Sequence, residues 1–473
     1  MRVGGRTVIV AIVTAVVVAG GLAATLRSTP EATTEFFRDA DGRSLVQHGF
    51  STASSAKSTP DGLPLFTEED LTQERLDMNT NFVRFLISWR AVEPQPGEID
   101  ETYLDAVEER VGWYADLGYH VMLDMHQDLW GWGITPDKQR GNGAPEWATY
   151  MDGLPVEDQE MWELVYLEPG VIRAFDHFWG TTGKHPELVD HYAGAWQAVA
   201  ERFADNDTVV AYDLMNEPYG GTLQGVAFES GPLTDLYQRT ANAIREVDSD
   251  TWLCLEPQAF GFNWGLPSSI GTIDDAREGE ERVAFCPHLY PLPMDLGDGY
   301  EGSSKQLVRG TIDVWTKNVL RTADMLGKGD GPVPVILGEF GLDTTRNGAD
   351  EYVDRVYRMA DTHGFGVAYW SRDSGSWGPY ETDGTARNLV SWLDRPYPRA
   401  AWGLISWHTD GAALTLELDG TTGGGDIPIE IHLPARPSTY PVVEGGTVIT
   451  WEPTTGTLGI QPDDGATVVT VRQ

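Results

Sequence analysis

Asn216-Glu217-Pro218 and Gly338-Glu339-Phe340-Gly341 are the segments best equipped for chemistry. Each sets a glutamate just after an apolar run: Val209-Val210-Ala211-Tyr212-Asp213-Leu214-Met215 leads to Glu217, and Pro334-Val335-Ile336-Leu337 leads to Glu339. A carboxylic acid that protonates a departing oxygen and a carboxylate that attacks an anomeric carbon are the pair that hydrolyses a glycosidic bond with retention, standing about 5 Å apart. Their surroundings must keep one protonated while the other is charged. Glu217 is the candidate acid/base and Glu339 the candidate nucleophile. A single glutamate of this kind reads as the end of a buried strand. Two of them, with Asn216 placed to meet a sugar 2-hydroxyl, point to a glycosidase.

Other runs end on residues that suit the same task. Arg84 lies inside Phe82-Val83-Arg84-Phe85-Leu86-Ile87. A cation in so apolar a run requires a carboxylate partner, and Glu339 is the one expected. His126 and Asp128 follow a third run; two such ligands are weak evidence for a metal, and hydrogen bonding to sugar hydroxyls is the preferred reading. His288 and Tyr290 follow another run, the tyrosine hydroxyl suited to holding the nucleophile, and Trp370 ends the last one as a platform for a sugar ring. Each has an ordinary core reading alone; their recurrence at successive run ends carries the argument. No metal or other cofactor is required.

The elements that must position them are eight near-continuous apolar runs, at 45–50, 82–88, 120–125, 209–215, 252–256, 283–287, 335–338 and 367–370. Such runs suit parallel strands buried on both faces. Between them, apolar residues recur at helical spacing: Leu104, Val107, Val111 and Tyr114; Leu188, Tyr192, Ala195, Val199 and Phe203; Ile312, Trp315, Val319 and Ala323. The pattern predicts an α/β fold, a (β/α)8 TIM barrel over residues 38–396, in which catalytic groups sit at the C-terminal ends of strands. The connection from Leu129 to Lys184 is long and aromatic and should overhang the site. After Pro396, apolar residues alternate at Leu414, Leu416 and Leu418 and at Ile427, Ile429, Ile431 and Leu433. That pattern predicts a C-terminal antiparallel β-sandwich over residues 397–473. Candidates for an exposed sugar-binding platform are few (Trp402, Trp407, Tyr440, Trp451), which favours a structural domain docked on the barrel.

With 33 basic and 72 acidic residues the formal charge is 33 − 72 = −39. That balance argues against nucleic acid and against electrostatic capture by anionic membranes. Met1-Arg2-Val3-Gly4-Gly5-Arg6 precedes an uncharged, mostly apolar stretch to Leu26, so residues 1–28 read as a signal peptide or membrane anchor, followed by a polar linker at 29–37. Either way the folded part is expected outside the cytoplasm, secreted or anchored to the outer face of the membrane. Cys254 and Cys286 are the only cysteines. Export permits a disulfide between them, parallel neighbours give one poor geometry, and the sequence leaves the pairing open.

The order Arg84, His126, Asn216-Glu217, His288, Tyr290, Glu339 and Trp370 resembles the strand-end pattern of glycoside hydrolase family 5. Longer stretches resemble its bacterial endoglycoceramidase branch, among them Gly49-Phe50-Ser51-Thr52-Ala53-Ser54-Ser55-Ala56-Lys57, Asp124-Met125-His126-Gln127-Asp128, Gly141-Asn142-Gly143-Ala144-Pro145 and Cys286-Pro287-His288-Leu289-Tyr290-Pro291. The resemblance implies cofactor-free hydrolysis, with retention, of the bond between an oligosaccharide and ceramide. It implies that Lys57, His126, Asp128, Trp162 and Asn216 contact sugars. Ceramide would lie in an apolar groove formed by the long connection and by Phe260-Gly261-Phe262-Asn263-Trp264, with Trp130, Trp132, Phe260, Phe262, Leu292 and Met294 as lining candidates. A monomer is expected, making transient contact with a lipid surface or micelle, with an activator or detergent as an added component. Leu129-Trp130-Gly131-Trp132-Gly133-Ile134 departs from the resemblance and leaves headgroup range open. The alternatives are a β-glucanase of the same family, a narrow galactosylceramide- or glucosylceramide-cleaving relative, and a catalytically silent sugar- or lipid-binding protein. The presence of both carboxylates weighs against the last.

Overall fold

The computed structural model describes residues 35–39, 41–135, 141–159, 161–410, 413–420, 427–434 and 440–473. The expected export segment at 1–28 and most of the expected linker lie outside the described residues. Eight parallel strands form the barrel: β3 (His48–Ser51), β4 (Phe82–Ile87), β5 (His120–Met125), β6 (Val209–Asp213), β7 (Trp252–Leu255), β8 (Val283–Phe285), β9 (Ile336–Phe340) and β10 (Gly366–Tyr369). Their order is β8-β7-β6-β5-β4-β3-β10-β9. Parallel bridges from Phe285 to Val335 and from His288 to Glu339 close the ring.

The outer helices follow from the apolar stripes. Helix Glu101–Asp116 buries Leu104, Val107, Val111 and Tyr114, and helix Glu187–Phe203 buries Leu188, Tyr192, Ala195, Val199 and Phe203. Helix Gly302–Leu326 buries Ile312, Trp315, Val319 and Ala323. Each stripe faces the barrel because burying it removes apolar area from water, at about 25 cal/mol per Å². Among the described residues, no helix is long and apolar enough to cross a membrane.

Two antiparallel sheets make the sandwich. One runs β12 (Leu404–Asp410), β13 (Ala413–Leu418), β18 (Val468–Arg472) and β15 (Val442–Glu444). The other joins β11 (Tyr397–Ala401), β14 (Ile429–His432), β17 (Thr457–Pro462) and β16 (Gly446–Glu452) to two short strands that precede the barrel, β1 (Phe37–Arg38) and β2 (Ser44–Leu45). The linker expected at 29–37 is thus not a tether at its C-terminal end. Phe36 and Phe37 are both buried, because two aromatic rings at the end of a polar stretch find a core to enter. For the same reason the first expected strand, at 45–50, divides: Leu45 pairs with Ala400 in the sandwich sheet, and only His48–Ser51 is a barrel strand.

The sandwich seats on the N-terminal end of the barrel. Arg399 donates to the Asn79 carbonyl at 3.2 Å, and the Asn79 amide meets His432 at 2.6 Å, just before β4 begins. Trp407 is buried in the sandwich core, and Trp402 donates to the Ile427 carbonyl at 3.0 Å. Of the four aromatic platform candidates, Tyr440 alone is strongly exposed. Cys254 and Cys286 are free, buried thiols. Cys254 pairs with Ala284 across β7 and β8, so Cys286 sits two residues beyond the facing position.

Candidate active site

Arg84 points from β4 into the barrel and is the hub of the site. Its guanidinium donates to Asp213 at 2.8 Å, Glu339 at 2.6 Å, Asn216 at 2.7 Å and Glu256 at 3.0 Å, and Asp124 lies 3.1 Å away. The side chain is wholly buried. Burial opposes its charge, but Asp124, Asp213, Glu339 and Glu256 outweigh burial and raise its pKa well above the usual value. A cation this deep in the interior persists because carboxylates surround it. The ion pair expected between Arg84 and Glu339 is present. Asp213 is pushed well above the carboxylate range by burial and by Glu256, against the pull of Arg84.

Glu339 stands on β9 and Glu217 just beyond β6. A carboxylate oxygen of each lies within 4.8 Å of the other, and a ring nitrogen of His288 lies within the same distance of both. Tyr290 donates its hydroxyl to Glu339 at 3.0 Å; burial, then the charges of Glu339 and Glu217, raise its pKa well above normal and keep that proton in place. His288 faces Glu217 through Nδ1 at 3.1 Å and Glu256 through Nε2 at 3.2 Å. Burial lowers its pKa, but Glu256, Glu339 and the bond to Glu217 prevail and raise it well above normal, so the ring is an imidazolium. Three such donor groups at this spacing resemble a cation site. Here the raised pKa of His288 favours a charged ring between the glutamates.

The glycines of Gly338-Glu339-Phe340-Gly341 have a steric reason. A Cβ at Gly338 would meet His288 Nε2 at 3.0 Å, and one at Gly341 would meet the Trp370 carbonyl oxygen at 2.2 Å. Bare backbone at both positions lets the neighbouring strand ends close around Glu339.

A cavity of about 750 Å³ opens over the two glutamates. The arc from β10 through β3 lines it with Ser54, Lys57, Trp370, Asp373, Ser374, Ser376 and Trp377, joined by Asp128. Lys57 pairs with Asp128 at 2.8 Å and lies 4.1 Å over the Trp370 ring. Burial pushes Asp128 up, but Lys57 and His126 hold it well below the usual range. His126 is buried under Trp370, parallel to it with ring centroids 5.7 Å apart. Opposite, the connections after β5 and β7 supply Trp162, Tyr166, Ala259, Phe260 and Trp264. Tyr166 packs on Phe260 at 5.1 Å, and Phe260 on Trp264 at 5.6 Å, so the two connections form one aromatic wall.

The structure therefore brings Lys57, Asp128, Trp162, Glu217, Tyr290, Glu339 and Trp370 to the cavity surface. It places Arg84, His126, Asn216 and His288 directly beneath. Trp162, expected among sugar contacts, stands beside the aromatic wall, its ring 6.2 Å from Tyr166. Among the groove candidates Phe260 lines the cavity. Trp130 instead packs on Phe178 and Phe175 at 4.9 and 5.3 Å, and Trp132 lies under the Arg90 guanidinium at 4.0 Å. Phe262 is buried against Phe285 at 5.6 Å, and Leu292 and Met294 do not line the cavity. Aromatic rings next to a site satisfy core packing as readily as a groove, and sequence alone does not separate the two. Sequence reasoning missed Asn263, which donates to Glu217 at 2.7 Å, and Glu256. The Glu256 position, at the end of an expected strand, was the available signal.

Residues 39–376 match Cellulase (glycosyl hydrolase family 5). The chain is 30% identical over 386 residues to endoglycoceramidase I of Rhodococcus hoagii, covering 77% of this chain and 71% of that protein. Among solved structures, endo-glycoceramidase II from Rhodococcus sp. in complex with ganglioside GM3 superposes with a TM-score of 0.89 at 56% identity, covering 93% of this chain and 99% of that one. The same enzyme as a lactosyl-enzyme intermediate gives a TM-score of 0.88 at 56% identity, with the same coverage. With its barrel, its paired glutamates and this match across most of its length, the chain belongs to glycosyl hydrolase family 5.

Proposed function

We propose that this enzyme is a retaining endo-glycosidase that hydrolyses the β-glycosidic bond between oligosaccharide and ceramide in glycosphingolipids. The observation that carries the reading is the approach of the Glu217 and Glu339 carboxylates to within 4.8 Å, with sugar-like polar partners on one side and an aromatic wall on the other. Inverting pairs stand roughly 6.5–9.5 Å apart, to admit water. In the first step a Glu339 oxygen attacks the anomeric carbon, the bond to the ceramide oxygen breaks, and Glu217 gives that oxygen its proton. In the second, water adds to the anomeric carbon, its proton passes to Glu217, and Glu339 leaves as carboxylate. Arg84 and Tyr290 hold Glu339 in line for attack. Lys57, Asp128 and Trp370 receive the sugar, and the wall of Tyr166, Phe260 and Trp264 receives the lipid.

Substrate reaches the site from a lipid surface or micelle. Exposed Trp162 and Trp377 line the cavity, and exposed Leu65, Leu167 and Val226 lie on connections that leave the C-terminal ends of barrel strands. Exposed apolar side chains on these connections suit contact with lipid, while the acidic surface favours neutral bilayers or detergent. The enzyme works outside the cytoplasm, secreted or held at the outer face of the membrane, a reading that rests on the basic and apolar N-terminal sequence.

The test is product analysis with detergent-dispersed lactosylceramide, gangliosides and carboxymethylcellulose. Intact oligosaccharide, first released as the β-anomer, and intact ceramide are expected. Cleavage of the cellulose with the glycolipids untouched would replace this reading with a β-glucanase.

A further inference from the structure

We propose that Glu256, just beyond β7, is the residue that positions Glu217 for proton transfer; the proposal rests on the acid/base role given to Glu217 above. Glu217 has φ of 42°, in the left-handed region that residues with a Cβ rarely occupy. That conformation needs both ends of the residue held, and they are. Its N–H donates to Glu256 Oε2 at 2.8 Å, and its carbonyl accepts from Gln127 Nε2 at 3.0 Å.

The other oxygen of Glu256 reaches the rest of the machinery. Oε1 accepts from Arg84 at 3.0 Å and faces His288 Nε2 at 3.2 Å. His288 Nδ1 in turn faces the Glu217 carboxyl at 3.1 Å, and Arg84 holds Glu339 at 2.6 Å. One buried carboxylate thus fixes the backbone of the proton donor, the ring against its carboxyl group and the cation that holds the nucleophile. The titratable groups around Glu256 are Arg84 from β4, Asp213 from β6, and His288 beyond β8, and Tyr237 donates to the Glu256 carbonyl at 2.9 Å.

Glu256→Gln keeps the shape but removes the charge and one acceptor, so at least one of the three N–H groups facing it loses its partner. A positioning role and a packing role then separate by leaving group. Lactosylceramide needs a proton on its leaving oxygen, whereas lactosyl fluoride does not. In Glu256→Gln, kcat/KM on lactosylceramide should fall about 100-fold, with a loss on lactosyl fluoride under about 10-fold. Azide should accelerate turnover of the fluoride by the variant and leave the wild type unaffected. Glu256→Asp, which retains the charge, should recover part of the lipid activity. Equal losses on both substrates that follow a lowered melting temperature would reduce Glu256 to a structural residue, and an unchanged ratio at full activity would also overturn the proposal. Wild-type enzyme that cleaves neither substrate would instead remove the functional reading on which it rests.

Discussion

The two sides of the cavity are built by opposite means. The arc from β10 through β3 is held by charge: Lys57 pairs with Asp128 and lies over Trp370, with His126 stacked below. The wall from the connections after β5 and β7 is held by ring packing, Tyr166 on Phe260 and Phe260 on Trp264. Hydroxyl groups are selected by directional partners, and methylene groups by area alone, at about 0.8 kcal/mol for each one buried. Between the two regions stand the glutamates, held mainly from the barrel: Arg84 and Tyr290 on Glu339, His288 on Glu217, with Asn263 at the edge of the wall as the link to it. The enzyme therefore separates what it recognises from what it does.

The largest expected effect removes the chemistry and spares both regions. Glu339→Gln should lose at least about 10,000-fold in kcat on lipid and soluble substrates alike, with an unchanged melting temperature. Glu217→Gln should lose about 100- to 10,000-fold on lactosylceramide, much less on lactosyl fluoride, and be partly rescued by azide. Equal losses on the two substrates would count against proton donation by Glu217.

The comparison itself is broken by one substitution on each side. Phe260→Ala should lower kcat/KM for lactosylceramide about 10-fold, close to 1.4 kcal/mol, and leave lactosyl fluoride nearly unchanged. Lys57→Met should impair both substrates, because both carry the same sugar. If the two variants gave the same profile, the assignment of sides would be wrong.

The smallest effect is a pH dependence of stability. His288 has its pKa raised in the folded enzyme, by Glu256, Glu339 and Glu217 against burial. A raised basic group stabilises the fold fully below its unfolded value of about 6.5, and that contribution is lost as pH rises through the folded value. The melting-temperature difference between wild type and His288→Gln should therefore shrink as pH rises above neutrality. A difference that grew would contradict the charge assigned to the ring.

The sequence made the barrel and its reacting pair legible for a physical reason. Buried parallel strands read as apolar runs, and a charged residue at the end of such a run or inside it stands out; Glu217, Glu339 and Arg84 were all visible that way. The Tyr290 hydroxyl was visible as the residue two beyond His288. Glu256 ends its run in the same way, but its role was not legible, because its partner is the backbone N–H of Glu217, and backbone partners leave no trace in side-chain identity. Trp130 was misplaced because an aromatic residue beside a site fits core and groove equally well. Phe37 was misplaced because its strand pairs through Leu45 with β11, more than 350 residues away in sequence.

Covalent trapping tests the central claim most directly. The enzyme is incubated with a 2-deoxy-2-fluoro-β-lactoside bearing a good leaving group, digested, and its peptides weighed. One fluorolactosyl group on the peptide carrying Glu339 is the expected result. A label on Glu217, or inactivation with no label on either glutamate, would contradict the account.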